Sequence, residues 1–167
     1  MKNIFLTGPP SSGKTTVIKK IITGLKRPAK GFYTEEIRVD GKRQGFKMIT
    51  LAGKEGLLGH RDIKSDYTVS KYGVSIENID NIAVPAIIPD NQSQIIILDE
   101  IGKMECFSDK FKAAALQVLD SNNTVIGTIA ISGTEFIRKI KERCDMKIIE
   151  ATESNRHELS DKILSMT

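Results

Sequence analysis

Gly8-Pro9-Pro10-Ser11-Ser12-Gly13-Lys14-Thr15 follows directly on the apolar run Ile4-Phe5-Leu6 and opens an amphipathic segment. Its spacing, G-x-x-x-x-G-K-[ST], is that of a loop that wraps a phosphate chain. A triphosphate is a dense anion, and the backbone N–H groups from Ser11 to Thr15 can converge on it as a nest, helped by the start of the next helix. Gly8 and Gly13 admit close approaches that a Cβ would obstruct. Lys14 is placed to reach the β- and γ-phosphates, and the Thr15 hydroxyl to ligate Mg²⁺. The variable positions Pro9, Pro10, Ser11 and Ser12, with Thr16 behind, complete the expected nucleotide-binding set. Beyond the loop, Val17, Ile18, Ile21, Ile22 and Leu25 share one helical stripe, while Lys19, Lys20, Thr23 and Lys26 lie off it. Strand, loop and helix therefore come in the order that phosphate binding demands.

The rest of the chain reads as an alternation. After a strand near 2–7 and a helix near 14–26, the runs Gly31 to Arg38 and Gly45 to Leu51 are strand-like and meet around Asp40-Gly41, a hairpin signal. A helix is expected from Ser75 toward Ile88, bent or interrupted at Pro85. Gln94-Ile95-Ile96-Ile97-Leu98 is short, apolar and β-branched, as in a strand buried on both faces. Ser108 can cap a helix whose inner face carries Phe111, Ala115, Val118 and Leu119. Strand 124–129, helix 134–143, strand 146–150 and helix 155–165 follow. The pattern predicts an α/β fold with a largely parallel core sheet flanked by helices and an antiparallel hairpin elaboration near residues 31–60. With no repeat, low-complexity segment or linker, residues 1–167 read as one domain.

Bulk properties narrow the function classes. The 167 residues suffice for a core without disulfides or structural metal. A net charge of +4 suits an anionic ligand but is too mild to demand nucleic acid. Cys106 and Cys144 form no metal-ligand pair, which favours reduced thiols in the cytoplasm. Met1-Lys2-Asn3 runs straight into a strand, leaving no room for a signal peptide, and no apolar run approaches a membrane span.

A second chemical cluster stands at the end of the buried strand: Asp99-Glu100-Ile101-Gly102-Lys103-Met104-Glu105. There Asp99 can hold Mg²⁺, mostly through water, opposite Thr15. Glu100 is placed to orient or deprotonate an attacking water as the catalytic base, with Lys14 neutralising the developing charge. Asp99-Glu100-Ile101-Gly102 also fits D-x-x-G, the switch motif of GTPases. However, no N-K-x-D or T-K-x-D follows, so the usual guanine-selecting side chains are absent.

The loop from Gly8 to Thr16, the segment Gly31-Phe32-Tyr33-Thr34-Glu35-Glu36-Ile37-Arg38 with Gly41, Arg43, Gly45 and Phe46, then Tyr72-Gly73-Val74, the Asp99 to Glu105 block and Asn155-Arg156 together resemble the cancer-related nucleoside-triphosphatase family. These are small P-loop NTPases of archaea, thermophilic bacteria and animals. The likeness spans nearly the whole chain, and the Asp-Glu-Ile-Gly-Lys-Met-Glu block is its most specific part. It implies Mg²⁺-dependent hydrolysis of ATP, GTP and other nucleoside triphosphates to diphosphate and phosphate, with broad base tolerance. It also implies a RecA-like sheet whose two motif strands are separated by one other, Glu100 as the base, and the loop from Thr152 to Arg156 beside the nucleobase. The chain departs from the family pattern at Ser11-Ser12, where relatives often carry Gly-Val, and at Ala130 and His157.

Other residues invite a role. Arg61, Lys71, Arg138 and Arg156 are each possible cationic partners for a γ-phosphate. Arg38, Lys42 and Arg43 beside Glu35 and Glu36 fit either a solvated hairpin edge or a substrate or nucleic-acid surface. Two other functions compete with hydrolysis: a small-molecule or nucleotide kinase in which Glu35, Arg38 or the middle segment positions an acceptor hydroxyl, and a nucleotide-dependent switch that binds RNA or protein. The oligomeric state is open.

Overall fold

The computed structural model describes residues 2–167. Strand β1 (Asn3–Thr7) buries Ile4, Phe5 and Leu6 completely, so both of its faces are covered. Alternation sends Ile4 and Leu6 to one side of the sheet and Phe5 to the other. Strand β7 (Ile95–Ile101) divides likewise, Ile95 and Ile97 against Ile96 and Leu98. On the first face lie helices α1 (Lys14–Gly24) and α6 (Arg156–Leu164), with Val17, Ile18, Ile21, Leu159 and Ile163 in the core. On the second lie α4 (Asp109–Asp120) and α5 (Glu135–Lys141), contributing Phe111, Ala115, Val118, Ile137 and Ile140. Ser108 caps α4, its Oγ accepting from Phe111 N–H at 3.0 Å, as the sequence predicts.

The remaining strands are β2 (Ala29–Val39), β3 (Lys42–Thr50), β4 (Glu55–His60), β5 (Thr68–Val69), β6 (Tyr72–Val74), β8 (Thr124–Ile129) and β9 (Met146–Glu150). They join one sheet in the order β5-β6-β4-β3-β2-β7-β8-β1-β9. From β9 to β2 the neighbours are parallel; from β2 to β5 they are antiparallel. The two motif strands β1 and β7 are separated by β8, the spacing expected of a RecA-like sheet. The hairpin at Asp40-Gly41 forms, and the antiparallel part extends past residue 60 through two short strands. Strand β2 is the seam: residues 29–32 pair with β7, while residues 32–39 pair with β3.

The segment from Ser75 to Ile88 differs from the expected helix bent at Pro85. It comprises α2 (Ile76–Asn78), a π-helical turn (Ile79–Ala83) and α3 (Val84–Ile87). The irregularity precedes the proline. Pro85 cannot donate a backbone hydrogen bond and its ring would crowd the carbonyl four residues back, and the wider π turn, closed by Val84 N–H on the Ile79 carbonyl, relieves both conflicts within a continuous helical path.

Gly31 fixes the seam. Its φ is +133°, and a Cβ there would stand 1.9 Å from the Ile97 carbonyl oxygen of β7. Gly31→Ala is expected to cost about 3 kcal/mol or more, from backbone strain plus overpacking. Urea unfolding checks this, and a loss below about 1 kcal/mol would show that the two strands yield at this point.

Candidate active site

The phosphate loop is held open by its own backbone. Ser11 and Gly13 adopt positive φ, 63° and 91°, and Ser12 N–H donates to the Pro9 carbonyl at 3.3 Å. Lys14 Nζ donates to the carbonyls of Gly8 and Pro9, both at 2.9 Å. Behind the loop stands Arg156: a Cβ on Gly13 would lie 3.1 Å from its Cδ. Helix α1 begins at Gly13 without a side-chain cap and has no acidic residue in its first turn. By contrast α4 and α5 are capped by Ser108 and Thr134. The first N–H groups of α1 are thus left for an anionic acceptor.

The carboxylates come from a bulge. Between Leu98 and Ile101 strand β7 advances three residues while β8 advances two, from Gly127 to Ile129. One extra residue breaks the alternation, so adjacent Asp99 and Glu100 both face the same cleft. Asp99, only 1% exposed, accepts from Thr128 Oγ1 at 2.6 Å, Thr15 Oγ1 at 3.0 Å and Thr34 N–H at 3.4 Å. Burial pushes its carboxyl pKa up, opposed by these hydrogen bonds and by Lys14. Glu100 is pushed up by burial and then by the charge of Asp99, again opposed by Lys14. Glu105 is buried and accepts from Gly102 N–H at 3.2 Å; burial, followed by the charge of Glu100, holds it well above the usual carboxylate range. Gly102 separates the two glutamates, since a Cβ there would lie 2.8 Å from Glu105 Oε2 and 3.3 Å from Glu100 Oε2.

These groups line one cleft of about 780 Å³, of a size to hold a small-molecule ligand. Gly8, Pro10, Ser11, Gly13, Lys14, Thr15, Thr16, Asp99 and Glu100 all border it; Pro9 and Ser12 instead brace the loop. Of the four proposed cations Arg156 borders the cleft, whereas Arg61, Lys71 and Arg138 do not. Sequence reading missed Lys19, Lys103 and Thr128, gave Thr34 no place in the site, and left Arg43 between a solvated hairpin edge and a substrate or nucleic-acid surface; the structure puts Arg43 on the cleft. Thr128 left one signal, a hydroxyl inside the apolar run Val125 to Ile129, where a buried donor needs a partner. The hairpin charges are largely paired with one another: Glu36 accepts from Arg38 and Arg43.

The residues present fit Mg²⁺. Thr15 Oγ1 and Asp99 Oδ2 are two adjacent oxygen donors facing the cleft, and this ion takes one or two protein oxygens with waters and phosphate oxygens completing its shell.

The acidic cluster also sets a pH dependence. With raised folded-state pKa values, Asp99, Glu100 and Glu105 retain protons that the unfolded chain has released. Their contribution to stability is full below the ordinary carboxyl value of about 4 and is lost as pH rises through the folded values. Glu105→Gln keeps an acceptor for Gly102 N–H, and is expected to stabilise the ligand-free protein by about 1 kcal/mol at pH 8 and by less at pH 5. Urea midpoints at the two pH values check this; equal effects at both would remove the charge penalty assigned to Glu105.

Comparison with known proteins agrees with this arrangement. Residues 3–164 match the family model described as NTPase. A nucleoside-triphosphatase THEP1 of Thermotoga sp. (strain RQ2) is 47% identical over 164 residues, covering 98% of this chain and 94% of the relative. The cancer-related nucleoside-triphosphatase of Homo sapiens is 36% identical over 181 residues, covering 98% and 95%. The crystal structure of THEP1 from the hyperthermophile Aquifex aeolicus superposes with a TM-score of 0.90 at 37% identity, over 99% of this chain and 98% of that one. The solution structure of a human cancer-related nucleoside triphosphatase gives 0.84 at 33% identity, over 99% and 97%. Phosphate loop, acidic strand end, sheet order and full-length similarity together place the chain in the NTPase family of nucleoside-triphosphatases.

Proposed function

We propose that the chain hydrolyses nucleoside triphosphates to diphosphate and phosphate with Mg²⁺ and little selection among bases, using Glu100 as general base. The observation that carries this is the placement of Glu100 beside the Asp99–Thr15 pair, in the same cleft as Lys14 and with its proton affinity raised. The loop N–H groups and Lys14 hold the phosphates, Lys14 exchanging its contacts with Gly8 and Pro9 for phosphate oxygens. Asp99 and Thr15 would hold Mg²⁺, which when bound adds positive charge where the phosphates develop negative charge. A water oriented by Glu100 attacks the γ-phosphorus, its proton passing to the carboxylate, while the bond to the bridging oxygen breaks and the nucleoside diphosphate departs. A raised pKa brings this base closer to neutral pH than an exposed glutamate.

Base tolerance is supported on the other side of the loop. Asn155 is occupied within its own turn, Oδ1 accepting from Thr152 N–H and Nδ2 donating to the Glu150 carbonyl, each at 2.8 Å. Arg156 beside the loop offers a planar guanidinium, on which any nucleobase can stack. A reducing cytoplasmic setting belongs to the same proposal, supported by the free thiols of Cys106 and Cys144. No helix among the described residues is long and apolar enough to cross a membrane.

Steady-state phosphate release from ATP, GTP, CTP and UTP, with and without Mg²⁺, tests the whole reading. All four are expected to turn over, and chelation to abolish turnover. Glu100→Gln should lower kcat by about 10²- to 10⁴-fold with KM little changed, and Lys14→Ala should impair both. Near-normal turnover in Glu100→Gln removes it from the base role, and hydrolysis of a single nucleotide overturns base tolerance.

A further inference from the structure

The cleft continues past the place where a γ-phosphate belongs. The phosphate loop rises from β1 and the carboxylates from β7, so on the proposed function a phosphate chain would lie over β1, β8 and β7, with the nucleobase toward Arg156. On the far side of β7 the same cavity is lined by Arg43 and Phe46 of β3, Leu58 of β4, Val69 of β5 and Met104. With neighbouring strands about 4.8 Å apart, β3 lies roughly 10 Å from β7 and roughly 19 Å from β1. This second lobe is therefore on the attack side of the γ-phosphate, beyond the nucleotide's own reach.

The lobe is an ordered wall. Phe46 and Tyr72 pack edge to face with centroids 5.4 Å apart. The Arg43 guanidinium lies over both rings, at 5.1 and 5.7 Å, donates to Tyr72 Oη at 3.0 Å and pairs with Glu36 Oε1 at 3.1 Å. Leu58 is buried, and Met104 is seated on Gly59, where a Cβ would come within 2.8 Å of its Sδ. A water nucleophile needs one oriented carboxylate, and an apolar wall two strands away adds nothing to its recognition.

We propose that this lobe is an acceptor site and that the chain also transfers the γ-phosphoryl group to a hydroxyl of a nucleoside. Phe46, Leu58, Val69 and Met104 suit the face of a planar ring. Arg43 gives Nε to Tyr72 and Nη1 to Glu36, which leaves its Nη2, among the described residues, to donate to the edge of a heterocyclic base. Arg43 is already paired with Glu36 and Lys19 with Glu35, while Glu100 and Glu105 border the same cleft, so a neutral acceptor fits better than an anionic one. In the transfer the acceptor oxygen forms the new bond to the γ-phosphorus and its proton goes to Glu100. The bond between that phosphorus and the bridging oxygen breaks, and its electron pair leaves with the nucleoside diphosphate. Hydrolysis is then the same reaction with water in the acceptor's place, so the inference rests on the proposed role of Glu100.

The test uses the full chain with Mg²⁺ and γ-labelled ATP, first alone and then with adenosine, guanosine, cytidine, uridine or thymidine. The expected result is label in at least one nucleoside monophosphate, with phosphate release falling as that nucleoside saturates. Val69→Trp fills the lobe, and Phe46→Leu keeps an apolar side chain while removing the aromatic face. Each should lower the ratio of labelled nucleoside to released phosphate about 10-fold or more. Absence of label in all five nucleosides, with phosphate release unaffected by them, overturns the proposal. So does a ratio that both variants leave unchanged, which would put the acceptor elsewhere. Absence of phosphate release before any nucleoside is added would be the failure of the hydrolytic reading instead.

Discussion

One buried carboxylate ties the site to the sheet. Asp99 accepts from Thr128 on β8, from Thr34 on β2 and from Thr15 at the start of α1. Because β8 and β2 are the two neighbours of β7, this set of donors exists only in this strand order. Burying a lone carboxylate costs several kcal/mol, and hydrogen bonds to a charged group return about 1.5–3 kcal/mol each. The three bonds are therefore of the magnitude needed to keep Asp99 in place and aligned with the phosphate loop. Every other feature of the cleft is positioned relative to that point.

What the sequence made legible was local. The phosphate loop, the buried strand before Asp99, the Ser108 cap and the Asp40-Gly41 turn each declare themselves within about ten residues, through spacing, β-branching or turn chemistry. Glu100 was legible for the same reason, as it adjoins Asp99. Thr34 and Thr128 were not, and Arg43 was legible only as one of two readings of a charged hairpin, because nearness to Asp99 or to the cleft depends on which strands are neighbours across the sheet. The bulge at Asp99 and Glu100 is also a relation between two strands. Strands β5 and β6 are two and three residues long, too short for any period to register. The Asp-Glu-Ile-Gly run, ambiguous as sequence, acquires a steric reading from the fold: the glycine leaves room between Glu100 and Glu105.

One corner of the cleft is electrostatically unbalanced toward acid. Asp99, Glu100 and Glu105 lie in one buried corner, and Lys14 is the cation that opposes the shifts of the first two. Such a corner lowers the stability of the ligand-free protein at neutral pH, and a bound cation relieves it. The same imbalance keeps the affinity of Glu100 for a proton high. A corner optimised for stability alone would replace these carboxylates with apolar side chains, so its retention fits a role in chemistry.

The two halves of the sheet divide the labour at β2. Its first residues are a parallel partner of β7 and belong to the nucleotide-binding half; its later ones are the template for β3 and, through it, for the lobe containing Arg43, Phe46 and Leu58. Thr34 lies on the boundary, and its N–H bond to Asp99, at 3.4 Å, is the longest of the three. Glu35 and Glu36, the next two residues, border the cleft, with Glu35 paired to Lys19 of α1 and Glu36 to Arg43 of β3. A displacement of the antiparallel lobe would therefore be felt first at the weakest of the bonds that hold Asp99. The lobe is mechanically connected to the carboxylate that is tied to the phosphate loop through Thr15, by three consecutive residues of one strand.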